Sequence, residues 1–160
     1  MSRSCGTCNL CCKLLGIGEI KKRPNCWCPE VKLGKGCGIY DTRPAACREF
    51  ACLWLLDPNF PDEYQPSKIH AFLANMESAS PQGVEKPPGE LVSIYVDPAY
   101  PLAHTEEPIN GWAQTLVKKG YRVIAIVGEK AWGRMADGWM RCRTEKRGDV
   151  FEGVFDVFLE

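Results

Sequence analysis

CGTCNLCCKLLGIGEIKKRPNCWCPEVKLGKGCGIYDTRPAACREFAC, residues 5–52, carries nine of the ten cysteines of this 160-residue chain. They are Cys5, Cys8, Cys11, Cys12, Cys26, Cys28, Cys37, Cys47 and Cys52; Cys142 stands far from the rest. Gly, Pro and Lys recur along the stretch between them. Buried free cysteines acting as small hydrophobes would sit among Leu and Val instead. A metal centre wants several soft, deprotonated ligands converging at fixed distance, and the run C-x-x-C-x-x-C-C supplies them at helical spacing.

The spacing predicts a helix over residues 4–15, with Ser4 as N-cap and Leu10, Leu14 and Leu15 as apolar positions. At about 100° per residue, Cys5, Cys8 and Cys12 fall within about 60° of one another, and Cys11 widens the arc to roughly 120°. Residues 19–41 read as a long polar loop presenting Cys26, Cys28 and Cys37, of a length that needs a tie such as metal coordination. Asp41-Thr42-Arg43-Pro44 then reads as the start of a helix running to about Leu56. On an unbroken helix Cys47 and Cys52 point about 140° apart, so they share an ion only where the helix breaks between them.

Charge is uneven. The whole chain has a formal net charge of zero, but residues 1–56 carry nine Lys/Arg against four Asp/Glu, and residues 57–160 eleven against sixteen. Lys13, Lys21, Lys22, Arg23, Lys32, Lys35, Arg43 and Arg48 are placed to offset the negative charge of metal-bound thiolates. A neutral total argues against nucleic acid or an anionic membrane as a general partner. No apolar run reaches the roughly 20 residues of a membrane span, and no secretory leader is visible. The expected compartment is a reducing cytoplasm, where clustered cysteines bind metal more often than they form disulfides.

The expected organisation is α+β. Residues 1–56 form a cysteine-rich, metal-stapled module of helix and loop, and residues 57–160 a small α+β domain with a short sheet, packed with the first as one unit. In the second part the pattern predicts helices over 67–79 and 108–119. Strands are predicted over 91–96, 121–127, 138–143 and 150–159, the last two around a turn at 146–149. Residues 57–66 and 80–90 read as Pro-rich connections.

The C-x-x-C-x-x-C-C run, the interior cysteine pair and the later C…Y-D-x-R-P-x-x-C segment resemble the YkgJ-type cysteine-cluster family, described as a zinc- or iron-chelating domain. The resemblance covers about the first third of the chain and rests on Cys5, Cys8, Cys11, Cys12, Cys37, Asp41, Arg43, Pro44 and Cys47. It implies that these cysteines are metal ligands, with Cys26, Cys28 and Cys52 fitting less strictly. A similar cluster occurs in flagellin lysine methylases, where it resembles an iron–sulfur site; that likeness carries no catalytic residue onto this chain.

Two zinc ions in closed tetrahedral sites would use eight thiolates, whereas a [4Fe–4S] cluster needs four. Ligand count therefore favours zinc, in a structural or metal-handling role. The alternative is an iron–sulfur protein that transfers electrons or assists a protein-modification enzyme. A third reading is a zinc-finger-like adaptor that recognises a protein partner.

No catalytic constellation can be assembled. His70 and His104 lack a second ligand at metal spacing. Asp97-Pro98-Ala99-Tyr100 superficially resembles an amino-methyltransferase segment but reads as a strand-ending turn, and Gly128-Glu129-Lys130 lacks the spacing of a phosphate loop. Trp27, Trp54, Trp112, Trp132 and Trp139 read as core or cluster-shielding residues, although Trp132 and Trp139 lie among Arg, Lys and Gly.

Overall fold

The computed structural model describes residues 3–75, 90–147 and 150–158. Residues 76–79 of the expected second helix, most of the loop expected over 80–90, and positions 148–149 and 159 lie outside them.

The cysteine-rich part is built from short pieces. Helix α1 spans only Leu10–Leu14. Cys5 to Cys8 form a turn instead of a helix start: Cys8 N–H donates to Cys5 O at 2.8 Å, and Gly6 takes φ +52. Asn9, not Ser4, is the N-cap. A two-stranded ribbon follows, β1 (Val31–Lys32) against β2 (Gly36–Cys37). The helix expected from Asp41 to Leu56 is split into α2 (Ala45–Glu49) and α3 (Leu53–Leu56), with Phe50 and Cys52 in extended conformation between them. Neither Asp41 nor Thr42 caps α2. The Glu19 carboxylate does so from the preceding loop, accepting the backbone N–H groups of Ala45 and Ala46 at 3.0 Å each.

The remainder is mixed α+β around one six-stranded sheet, larger than expected. Helix α4 (Pro66–Ile69) ends at His70, which adopts φ 54, and the chain turns into strand β3 (Ala71–Asn75). A helix was expected there; Ala71-Phe72-Leu73 instead alternate between two buried faces. Strand β4 (Leu91–Val96) is joined by helix α5 (Ile109–Lys118) to strand β5 (Arg122–Val127), its parallel neighbour. Strands β6 (Lys130–Met135), β7 (Gly138–Arg147) and β8 (Val150–Phe158) complete an antiparallel run in chain order. The unforeseen β6 follows from Gly128-Glu129, a two-residue hairpin turn between the paired Val127 and Lys130. Gly128 has φ +59, and such turns need positive φ.

Both faces of the sheet are used. On one, Leu73, Ile94, Val123 and Ala125 pack under Ile109 and Ala113 of α5. On the other, Phe72 stacks on Tyr95 at 5.0 Å between centroids and receives Leu10 and Leu14 of α1. A five-residue helix has no independent stability in water. Burying two leucines and a phenylalanine, at about 1.5–3 kcal/mol each, seats α1 on the sheet. Polar contacts reinforce the seat. Lys13 Nζ pairs with both carboxylate oxygens of Asp97 at 2.7 and 2.8 Å, at the end of β4. Arg3 donates to the carbonyl oxygens of Trp54 and Asp57, both at 2.8 Å, and to that of Phe60.

Candidate metal centre: a thiol-lined cavity

The cysteine-bearing pieces surround a cavity of about 370 Å³ lined by Cys5, Cys8, Cys11, Cys12, Cys28, Cys37, Cys47 and Cys52. Each arrives by local geometry. The Cys5–Cys8 turn runs into α1, which carries Cys11 and Cys12. Cys28 is held to α1 by its N–H to Cys12 O, 2.9 Å. Cys37 sits on the ribbon, where Gly36 takes φ +107 and a Cβ there would lie 3.0 Å from Gly6 O, so only glycine lets ribbon and turn approach this closely. Cys47 comes from α2, and Cys52 precedes α3.

Two cysteines do not join them. Cys26, expected among the ligands, is exposed and does not line the cavity, because the Asn25 N–H bond to Leu14 O and the left-handed Asn25 (φ 59) carry the chain over the end of α1 before it turns inward at Cys28. Cys142 is fully buried within the sheet beside Ile124, Ile126 and Ala131. All ten cysteines are free thiols. The eight face one space without a closed coordination shell: among the described residues, no group of three or more His, Cys, Asp or Glu is arranged to hold a metal ion.

The electrostatics of the site follow from crowding. Cys11 and Cys12 share a thiol hydrogen bond that pushes Cys11 up and brings Cys12 down to about 7, with the Lys22 charge adding to the lowering. Burial drives Cys52 up to about 11 and also raises Cys5 and Cys47, with neighbouring thiols adding to the effect. Thiols packed this densely resist ionising together unless a cation joins them. Of the eight basic residues expected to offset the cluster, Lys22 and Arg43 lie within electrostatic reach of its sulfurs, and Lys35 lines the cavity. Lys22 is itself buried and caps α1, donating to Lys13 O at 2.6 Å and to Leu15 O. Lys13 is turned to Asp97, while Lys21, Arg23, Lys32 and Arg48 are exposed.

The wall fits a soft metal group. Arg43 stacks on Tyr40 with its Cζ 3.8 Å from the ring centroid, and its Nε is buried in the wall without a hydrogen-bond partner. An N–H donor in that position suits a thiolate or sulfide acceptor. Asn9 Oδ1 is likewise buried and unpartnered. Ile17, Phe50 and Phe72 supply an apolar part of the lining. Sequence reasoning did not foresee the roles of Asn9, Glu19 or Phe72; a polar residue between two cysteine pairs was the one available signal, at Asn9.

The remaining candidates lie elsewhere. His70 stacks on Tyr100 at 3.6 Å, and His104 is 2% exposed between Trp132 and Trp139; neither lines the cavity. Asp97 ends β4 as expected and accepts Ala99 N–H at 2.9 Å. Among the described residues no helix is long and apolar enough to cross a membrane. Comparison with known proteins found no matching family model, no matching curated protein and no matching solved structure.

Proposed function

We propose that this protein binds metal through the eight cavity-lining cysteines, with zinc as the ion, in a structural or metal-handling role. The observation that carries the reading is the convergence of Cys5, Cys8, Cys11, Cys12, Cys28, Cys37, Cys47 and Cys52 on one cavity from segments far apart in sequence. Eight thiolates match two closed tetrahedral zinc sites, which leave no open position for a substrate. The resemblance to the YkgJ-type cysteine-cluster family, which is described as chelating zinc or iron, points the same way. Bound metal would draw the short elements together and replace the thiol protons that crowding retains.

An iron–sulfur centre is the second reading. It is favoured by the volume of the cavity, about 370 Å³, which leaves room for bridging sulfide as well as metal. Its four thiolate ligands would leave other cysteines free. Purification without oxygen, followed by elemental analysis and an absorption spectrum, separates the two. About two zinc ions per chain in a colourless protein supports the first. Iron with sulfide and a band near about 400 nm supports the second. A folded protein with neither metal at stoichiometric level overturns both.

A further inference from the structure

On the sheet face covered by α5, Trp132 of β6 lies directly opposite Arg141 of β7, and Arg134 lies opposite Trp139. Alternation along each strand puts all four on one side, and both tryptophans pack on the same core cluster. The result is a checkerboard. Arg141 Cζ stands 5.0 Å from the Trp132 ring centroid, and Arg134 Cζ 5.8 Å from that of Trp139. The arginines occupy one diagonal, with Cβ atoms about 7–8 Å apart or less. Trp139 is fixed by the covering helix, donating its Nε1–H to Asn110 Oδ1 of α5 at 3.0 Å.

Cross-strand stacking accounts for the rings but not for the charges. Neither guanidinium has a carboxylate partner among the described residues. Arg134 is 5% exposed, and its hydrogen bond goes from Nη1 to Met135 O. The Nε–H groups of both arginines are buried without an acceptor. Buried donors normally have partners, and two of them side by side mark a place where an acceptor is supplied from outside. We propose that the Arg134–Arg141 pair binds the phosphate group of a small phosphorylated ligand. Guanidinium forks match the tetrahedral oxygens bidentately, and two of them balance a dianion, whereas a carboxylate would offset one. This site shares no residue with the cysteine cavity and does not depend on it.

The test is a titration of the isotope-labelled full chain, reading the arginine side-chain Nε–H signals. Inorganic phosphate and a simple phosphate monoester are the probes, and acetate at equal ionic strength is the control. The Arg134 and Arg141 signals are expected to move saturably with one or both probes, and the relative strength of the two shows whether free phosphate or the ester is the ligand. Arg141→Gln is expected to weaken binding about tenfold or more. Arg141→Lys keeps the charge and is expected to weaken it too, because the fork is lost. Arg143→Gln, at a residue paired with Glu145 at 2.9 Å, is expected to change nothing. Immobile signals, shifts equal to those with acetate, or full binding by both Arg141 variants would overturn the site. So would response to a single-stranded oligonucleotide alone.

Discussion

Cys47 and Cys52 line the same cavity because the helix between them is broken. On a continuous helix they would point about 140° apart. The extended backbone at Phe50 (ψ 132) and Cys52 (ψ 159) turns both thiols inward, while Phe50 packs edge-on against Phe72 at 5.1 Å. Cys47→Ser and Cys52→Ser are therefore each expected to lower metal content and melting temperature together, since closed sites couple binding to folding. Cys26→Ser and Cys142→Ser are expected to keep full stoichiometry. Metal analysis of the four purified variants decides this, and loss of metal from Cys26→Ser would place a ligand outside the cavity.

Gly36 makes a separate test of how the ribbon meets the Cys5–Cys8 turn. Its φ of +107 strains any L side chain, and a Cβ would press on Gly6 O at 3.0 Å. Gly36→Ala is expected to cost about 1–3 kcal/mol of stability. Because the strain falls next to Cys37, the variant is also expected to release metal to a chelator faster than the parent. Unchanged unfolding and chelation would mean that the ribbon relaxes freely.

Much of the candidate site was legible because ligand chemistry is written in residue type: clustered cysteines beside Gly and Pro need little structure to be noticed. The geometry was less so. Helical spacing in the C-x-x-C-x-x-C-C run suggested one sulfur-bearing face, yet Gly6 and Asn9 divide that run into a turn and a five-residue helix. Only Trp27 separates Cys26 from Cys28, yet Cys26, directly after the left-handed Asn25, is exposed while Cys28 lines the cavity. In the second half, residues 91–96 and 122–127 were plain as apolar runs. Strand β3 was hidden because Ile69, Phe72, Leu73 and Met76 also fit a helical stripe, and only His70 in the left-handed region ends the helix before it. Strand β6, with Lys, Gly and Arg among its residues, is specified by its neighbours more than by its own composition.

The Lys13–Asp97 pair joins the cysteine helix to the sheet at 2.7 Å, with side chains 17% and 6% exposed. Removing one partner leaves the other charge buried, at a cost of about 3–5 kcal/mol for a well-enclosed pair. Asp97→Asn and Lys13→Met are each expected to destabilise by somewhat less than that, given the partial exposure of Lys13. The double variant is expected to recover a large part of the loss. Denaturant unfolding of the three variants, read as a double-mutant cycle, measures the coupling; additive losses would show that the pair does not act as one unit.

Buried His104 makes stability depend on pH in the acid range. Burial between Trp132 and Trp139 lowers its pKa from 6.5 to about 4. The unfolded chain therefore binds a proton that the folded one refuses between those values, so stability is complete above about pH 6.5 and falls as the pH drops toward 4. The full loss for this one group is about 3 kcal/mol. His104→Phe keeps the ring contacts and removes the titration. Its stability is expected to be flatter over that interval than the parent's, measured by denaturant unfolding at pH 7, 5.5 and 4.5. Parallel pH curves for parent and variant would show that His104 takes up its proton without leaving the two indoles.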